Sequence, residues 1–368
     1  MRACACLVVL MATLGLSASW LYGDEAAPRS SATSIDTGIT LESVGEAGPN
    51  HADEPLRDTY SPDAAAEFLD TASLEWQKAR KCMTCHTNYV YLLSRPFLGI
   101  ENEAHRSVRR FAEELVEQRW VDKGPRWDAE VVMTALALAA NDAQTTGELH
   151  PATRTALDRI WTVQTEEGSF SWLACSWPPY ELDDDFGSCA AAVAVAIAPE
   201  DYASTPAAQQ GIARLQKFFG DNELSCLHHQ AWVLWADSLR PDTFLDAPAR
   251  KQILAELLAL QNDDGGWSAG ALGPWPRHDG EPQARSTSDG LGTGFVTFVL
   301  RQAGMSADDP VIARATTWIK SNQRASGRWF SRSLYRDGRN FLTHAASAWS
   351  VIALGSCGEL DASLAAAP

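Results

Sequence analysis

Three copies of one short pattern constrain the fold of this 368-residue chain more than any other feature. They are Gln164-Thr-Glu-Glu-Gly168-Ser-Phe170, Gln261-Asn-Asp-Asp-Gly265-Gly-Trp267 and Gln323-Arg-Ala-Ser-Gly327-Arg-Trp329. In each, glycine follows glutamine by four residues and an aromatic follows glycine by two. Each copy ends an apolar helical run, over 156–163, 253–260 and 315–320, and leads through a loop to a second helix of small apolar residues. Glycine past a helix end permits a left-handed closing turn. The glutamine can bond the open helix end, and the aromatic can stack across to the next repeat. Self-similarity of this kind marks helix pairs that bury their apolar faces only by stacking on one another.

The periodicity predicts an all-α protein. Outer helices are expected near 103–118, 152–164, 206–219, 248–261 and 309–323, and inner ones near 129–140, 187–198, 225–239, 290–302 and 343–355. The inner set carries runs such as 190–197, apolar nearly all round and therefore buried. The gap between the first two copies holds an extra helix pair without the motif. The repeats resemble the QW repeats of squalene–hopene cyclases and related prenyltransferase-type toroids, most closely over 127–355. The resemblance implies an α/α-toroid, with inner helices around a central apolar cavity and outer helices around them. Fourteen tryptophans fit such packing, and some, such as Trp232 and Trp349, could line a pocket.

Cys82-Met83-Thr84-Cys85-His86 spells Cys-x-x-Cys-His, the attachment signature of a c-type haem. Its two thiols can add to the haem vinyl groups, and the adjacent His86 can coordinate iron. Zinc or a redox dithiol would also use Cys-x-x-Cys. The N-terminus favours haem. A positive start, an apolar run over 7–16 and small residues near 19–23 read as a secretory signal peptide over 1–23, and so as export to a periplasm or the exterior. Residues 24–60 are rich in small, polar and acidic residues and read as a disordered linker. Residues 61–100 read as a haem-attachment segment and degenerate first repeat. An outer helix is expected from Pro62 to about 73, with Trp76 in the aromatic role and an inner helix from about Thr87. The repeat domain then spans 101–358 and a tail 359–368. Cys175, Cys189, Cys226 and Cys357 could pair in an oxidising compartment, with Cys175–Cys189 the first pair to test.

In the ring the resemblance implies, the residues just before the inner helices share one rim: Asp128 and Glu130, Glu181 with Asp183, Asp184 and Asp185, His228 and His229, Ser286 and Asp289, and His344. Glu181-Leu182-Asp183-Asp184 resembles the Asp-x-Asp-Asp box of class II terpene cyclases. By position that resemblance makes Asp183 a proton donor with Glu181 and Asp184 as partners. Glutamate stands where the box has its first aspartate, and helix capping explains the same acids. His228 or His229 is the expected distal haem ligand, with His344 and Met133 as further candidates.

A net charge of −17 disfavours nucleic acid, whose phosphates would be repelled. No glycine-rich phosphate loop is present, so no nucleotide cofactor is expected. The expected activity is binding or redox processing of a hydrophobic, isoprenoid-like molecule by an exported haem c protein, with an electron-transfer partner. A cyclase-like isomerase and a non-catalytic electron-transfer or interaction module are the alternatives.

Overall fold

The computed structural model describes residues 34–100 and 102–360. The proposed signal peptide, with Cys4 and Cys6, lies outside them, as do residues 24–33 and nearly all of the tail. The chain is all-helical: α1 (Pro62–Arg80), α2 (Asn88–Ser94), α3 (Glu103–Glu114), α4 (Trp120–Lys123), α5 (Asp128–Thr145), α6 (Pro151–Val163), α7 (Asp185–Ile197), α8 (Pro206–Asp221), α9 (Leu227–Leu239), α10 (Ala247–Ala259), α11 (Gly290–Gln302), α12 (Pro310–Ser321) and α13 (Leu342–Ser356). Among the described residues no helix is long and apolar enough to cross a membrane.

Helices α2, α5, α7, α9, α11 and α13 pack one on the next in that order, and α13 returns to α2. Around them α6 lies against α5 and α7, α8 against α7, α10 against α9, α12 against α11 and α13, and α1 against α2 and α13. Small residues let the inner helices approach closely. Gly294 of α11 has room for no side chain, since a Cβ there would stand 2.6 Å from the Ser350 backbone nitrogen of α13. The outer helices start at sharp signals. Ser61, Thr205 and Asp309 cap α1, α8 and α12, each with proline at the first helical position.

The repeated pattern joins outer helices. Gln323 Nε2 donates to Gly327 O at 3.0 Å within its own turn and to Ser61 O at 2.9 Å before α1, while its Oε1 accepts from Ser61 N at 2.8 Å. Gln261 makes the same bridge to Val311 O of α12 at 2.9 Å, and Gln164 to Gly211 O of α8 at 3.3 Å. The aromatics do not chiefly stack across. Trp267 and Trp329 fold back, their indole N–H groups donating to Leu257 O and Ile319 O of their own outer helices at 2.7 and 2.6 Å.

Two segments differ from expectation. Helix α1 runs on to Arg80, so Trp76 sits inside it rather than in a following loop. No glycine interrupts the run, and the helix closes at Lys81 in the left-handed conformation. Residues 34–60, read as a disordered linker, carry no helix but form a strap along the ring. Ile35 N bonds Leu98 O at 3.0 Å, and Arg57 N bonds Gln323 O at 2.8 Å. The Arg328 guanidinium holds Pro49 O at 2.9 Å and Asn50 Oδ1 at 2.6 Å. These partners lie far along the chain, where composition has no view of them.

Beside the strap, Asp70 and Arg95 form a fully buried ion pair at 2.9 Å, with Tyr91 and Asn102 completing the carboxylate's bonds. Nearby His105 is buried and bonds Asn141 at 2.9 Å. Burial first, then Arg95 and Arg109, lower its pKa to about 3. The unfolded chain takes up this proton near 6.5 and the native chain does not. The contribution is therefore complete above pH 6.5 and falls by about 1.4 kcal/mol per pH unit down to the native value. Urea unfolding across that window should show this component, and His105→Gln should remove it.

Candidate functional site

The turn between α1 and α2 carries Cys82 to His86. The His86 ring stands edge-on to Trp76 at 4.8 Å and stacks on Phe341 at 5.5 Å. Its Nδ1 lies 2.8 Å from Thr87 Oγ1, and the same hydroxyl lies 3.0 Å from His344 Nδ1. His344 Nε2 in turn meets the Asn50 amide nitrogen at 3.4 Å. With Arg328 bonded to Asn50 Oδ1, the Asn50 amide N–H points at His344, so the His344 proton sits on Nδ1. Removal from water, as the aromatic rings close over it, lowers the pKa of His86 to about 4. Burial, then His86 and Arg328, lower that of His344 to about 3. Both rings are neutral at pH 7.

His86 lines a cleft of about 270 Å³ whose walls are Trp76, Trp177, Tyr180, Tyr335 and Phe341. Trp177 and Tyr335 stack at 4.9 Å. Glu181 and Arg339 bring the charges. A second cleft of about 350 Å³ also touches Trp76, Phe341 and Arg339, and adds Asn50, Arg80 and His344.

The centre of the ring is filled. Trp232, Trp349 and Phe295 meet at centroid distances of 5.1 to 5.8 Å, and Trp349 Nε1 donates to Tyr180 OH at 3.2 Å. What remains is a pocket of about 10 Å³ between Cys85, Tyr89, Met133, Tyr180, Trp232 and Trp349. That is about the volume one water needs. Tyr180 lines both this pocket and the rim cleft, so it forms the partition between them.

The haem-motif residues divide across that partition. Cys82 is half-buried at the turn. Cys85 is buried and faces the inner pocket, and its thiol pKa is pushed well up by burial and then by the Glu181 carboxylate.

The acidic box is splayed. Glu181 lines the rim cleft, and burial raises its pKa. Asp183 accepts from Ser225 Oγ at 3.0 Å and faces His229 Nδ1 at 3.7 Å. Asp184 accepts from Trp172 N at 3.0 Å. None of the three lines the central pocket. Asp289 caps α11, and Glu130 is held by Arg119 and Arg126, so these rim acids serve the fold.

His228 and His229 open α9 among Phe186, Trp232 and Phe295, and neither lines a cleft with His86. The histidine brought to His86 is His344, through the Thr87 hydroxyl. Met133 faces the inner pocket with Cys85. All six described cysteines are free. Cys189 is buried within α7 while Cys175 is exposed, so that expected pair is not formed.

No protein-family model and no curated protein matches the chain. Among the solved structures that match, the crystal structure of a protein from Actinoplanes has 14% sequence identity and a TM-score of 0.47, covering 74% of this chain and 89% of that one. A likeness of that degree carries no argument about function.

Proposed function

We propose that this chain is an exported c-type haem protein whose helical ring is a scaffold and whose working site is the rim cleft beside His86. The observation that carries the reading is the state of His86. Its ring is held by Trp76 and Phe341, its Nδ1 is taken up by Thr87, and it lines an aromatic-walled cleft. The Thr87 oxygen accepts Nδ1–H from His344 and has a second lone pair for Nδ1–H of His86. In that tautomer His86 Nε2 is the lone-pair nitrogen, the form an iron ligand needs; with the Thr87 hydroxyl donating to His86 Nδ1 instead, Nε2 carries the proton. His86 suits the group as it stands. Neither thiol lines the cleft; Cys82 and Cys85 suit the group by residue type and position, and attachment requires the Cys85 side chain to turn from the inner pocket toward the cleft.

Haem held there supplies one-electron chemistry. The protein's own part is to fix the imidazole plane, exclude water with the aromatic walls, and set Arg339 and Glu181 at the edge. The packed centre supports the electron-transfer or interaction form of this reading. A hydrophobic small molecule finds room at the rim rather than inside the ring, and proton-initiated cyclisation has neither a buried acid nor a chamber at the centre.

The test is expression with export and cytochrome c maturation machinery. A haem-stained denaturing gel should show haem retained by the wild type and lost in Cys82→Ala and Cys85→Ala. His344→Phe should keep the stain while changing the optical spectrum of the folded protein, because it removes a Thr87 partner. Staining of both cysteine variants at the wild-type level, or no stain in the wild type, would sink the reading.

A further inference from the structure

We propose that the start of α9 binds one divalent metal ion of the zinc type, held by Cys226, His228 and His229. This site is separate from the Cys82–His86 segment. Cys226 precedes α9, and His228 and His229 are its second and third residues. Their exposures are 5%, 2% and 0%. The donor atoms of Cys226, His228 and His229 lie within 4.8 Å of one another, and so do those of Asp183, Asp185 and His229. His229 is common to both sets.

The hydrogen bonding around His229 leaves a place for a cation. Its Nε2–H donates to Pro179 O at 3.2 Å, so in the neutral ring Nδ1 carries the lone pair. That lone pair faces Asp183 Oδ1 at 3.7 Å. This carboxylate oxygen is buried without a hydrogen-bond partner. The Ser225 hydroxyl lies 3.0 Å from Asp183 Oδ2 and 3.2 Å from His229 Nδ1, and its one proton serves only one of them. The buried His228 adds an unpartnered Nδ1 beside them. Among the described residues no lysine or arginine pairs with Asp183 or Asp185. A cation held by Cys226, His228 and His229, with the Asp183 carboxylate nearby to balance its charge, meets these unprotonated donors, and nitrogen and sulfur donors suit zinc. A metal-bound histidine also ordinarily gives its second nitrogen to a carbonyl, as His229 does to Pro179.

The ion would be structural. Pro179 belongs to the loop that carries Trp177, Tyr180 and Glu181, so the ion, by fixing His229 on Pro179 O, would hold the cleft wall to α9.

Zinc in the full-length protein, grown with added zinc and dialysed, should be about one equivalent per chain. It should fall to background in Cys226→Ser and in His228→Gln, and stay at wild-type level in Cys82→Ala. Cys226→Ser keeps the side-chain shape, and His228→Gln keeps an acceptor for the Trp232 indole, so both variants should fold. Cobalt(II) added to the stripped chain should give a thiolate charge-transfer band that Cys226→Ser lacks. No bound zinc together with no cobalt band in the wild type would overturn the proposal. So would zinc that survives both site variants, or zinc lost in Cys82→Ala. Haem staining of the same samples reports on the haem reading independently.

Discussion

Trp349→Ala should lower the unfolding free energy by about 3–5 kcal/mol, the cost of a large buried aromatic removed from a packed core. The indole is 1% exposed and stands among Trp232, Trp235, Phe295 and Phe298. It borders the small central pocket directly. Its loss leaves Tyr180 OH without its partner and joins the indole's volume to that pocket. Such an apolar void stays dry and takes up small aromatic molecules. Urea unfolding should therefore show the destabilisation, and benzene should restore part of it in the variant while leaving the wild type unchanged. A loss under about 1 kcal/mol would mean that the centre collapses freely and is not a packed core.

Gly327→Ala should cost about 3 kcal/mol, the sum of left-handed strain and a steric clash. Gly327 has φ +90°, and a Cβ there would stand 2.0 Å from Ala64 O in the first turn of α1. This is the seam where the last outer helix, α12, meets the first, through the Gln323 bridge to Ser61. Gly304 supplies the control. Its φ is +93°, but a Cβ there would meet nothing within 4 Å. Gly304→Ala should therefore cost only the left-handed strain, about 1–2 kcal/mol. Equal losses in the two variants would show that the seam contributes nothing beyond local turn strain.

Helix positions were legible because they are written locally. The run expected at 290–302 is α11, Gly290–Gln302, and the Ser-Pro signal expected to start a helix at Pro62 starts α1. The glutamines were legible as polar side chains at the helix ends, but they bond the glycine carbonyl four residues on and the next outer helix instead of the open end of their own helix. What escaped depends on contacts between distant residues. Arg328 reaches Pro49, 279 residues away, so a segment polar enough to read as disordered is strapped to the ring. Asp70 and Arg95 look like surface charges until the fold buries both. Apolar runs and tryptophans were visible, but whether their side chains filled or merely lined the centre depended on rotation about each inner helix. The acidic box read as one unit because its residues are adjacent. In the irregular segment before α7 they point to different partners, and Glu181 alone lines the cleft with His86.

The most direct measurement of the central claim is the intact mass of the denatured, exported chain alongside its pyridine haemochrome spectrum. The account predicts a mass increase of one haem per chain that survives denaturation and disappears in Cys85→Ala, with a haemochrome spectrum of the c type. A mass equal to that of the bare polypeptide, from cells shown to mature another c-type cytochrome, would contradict it.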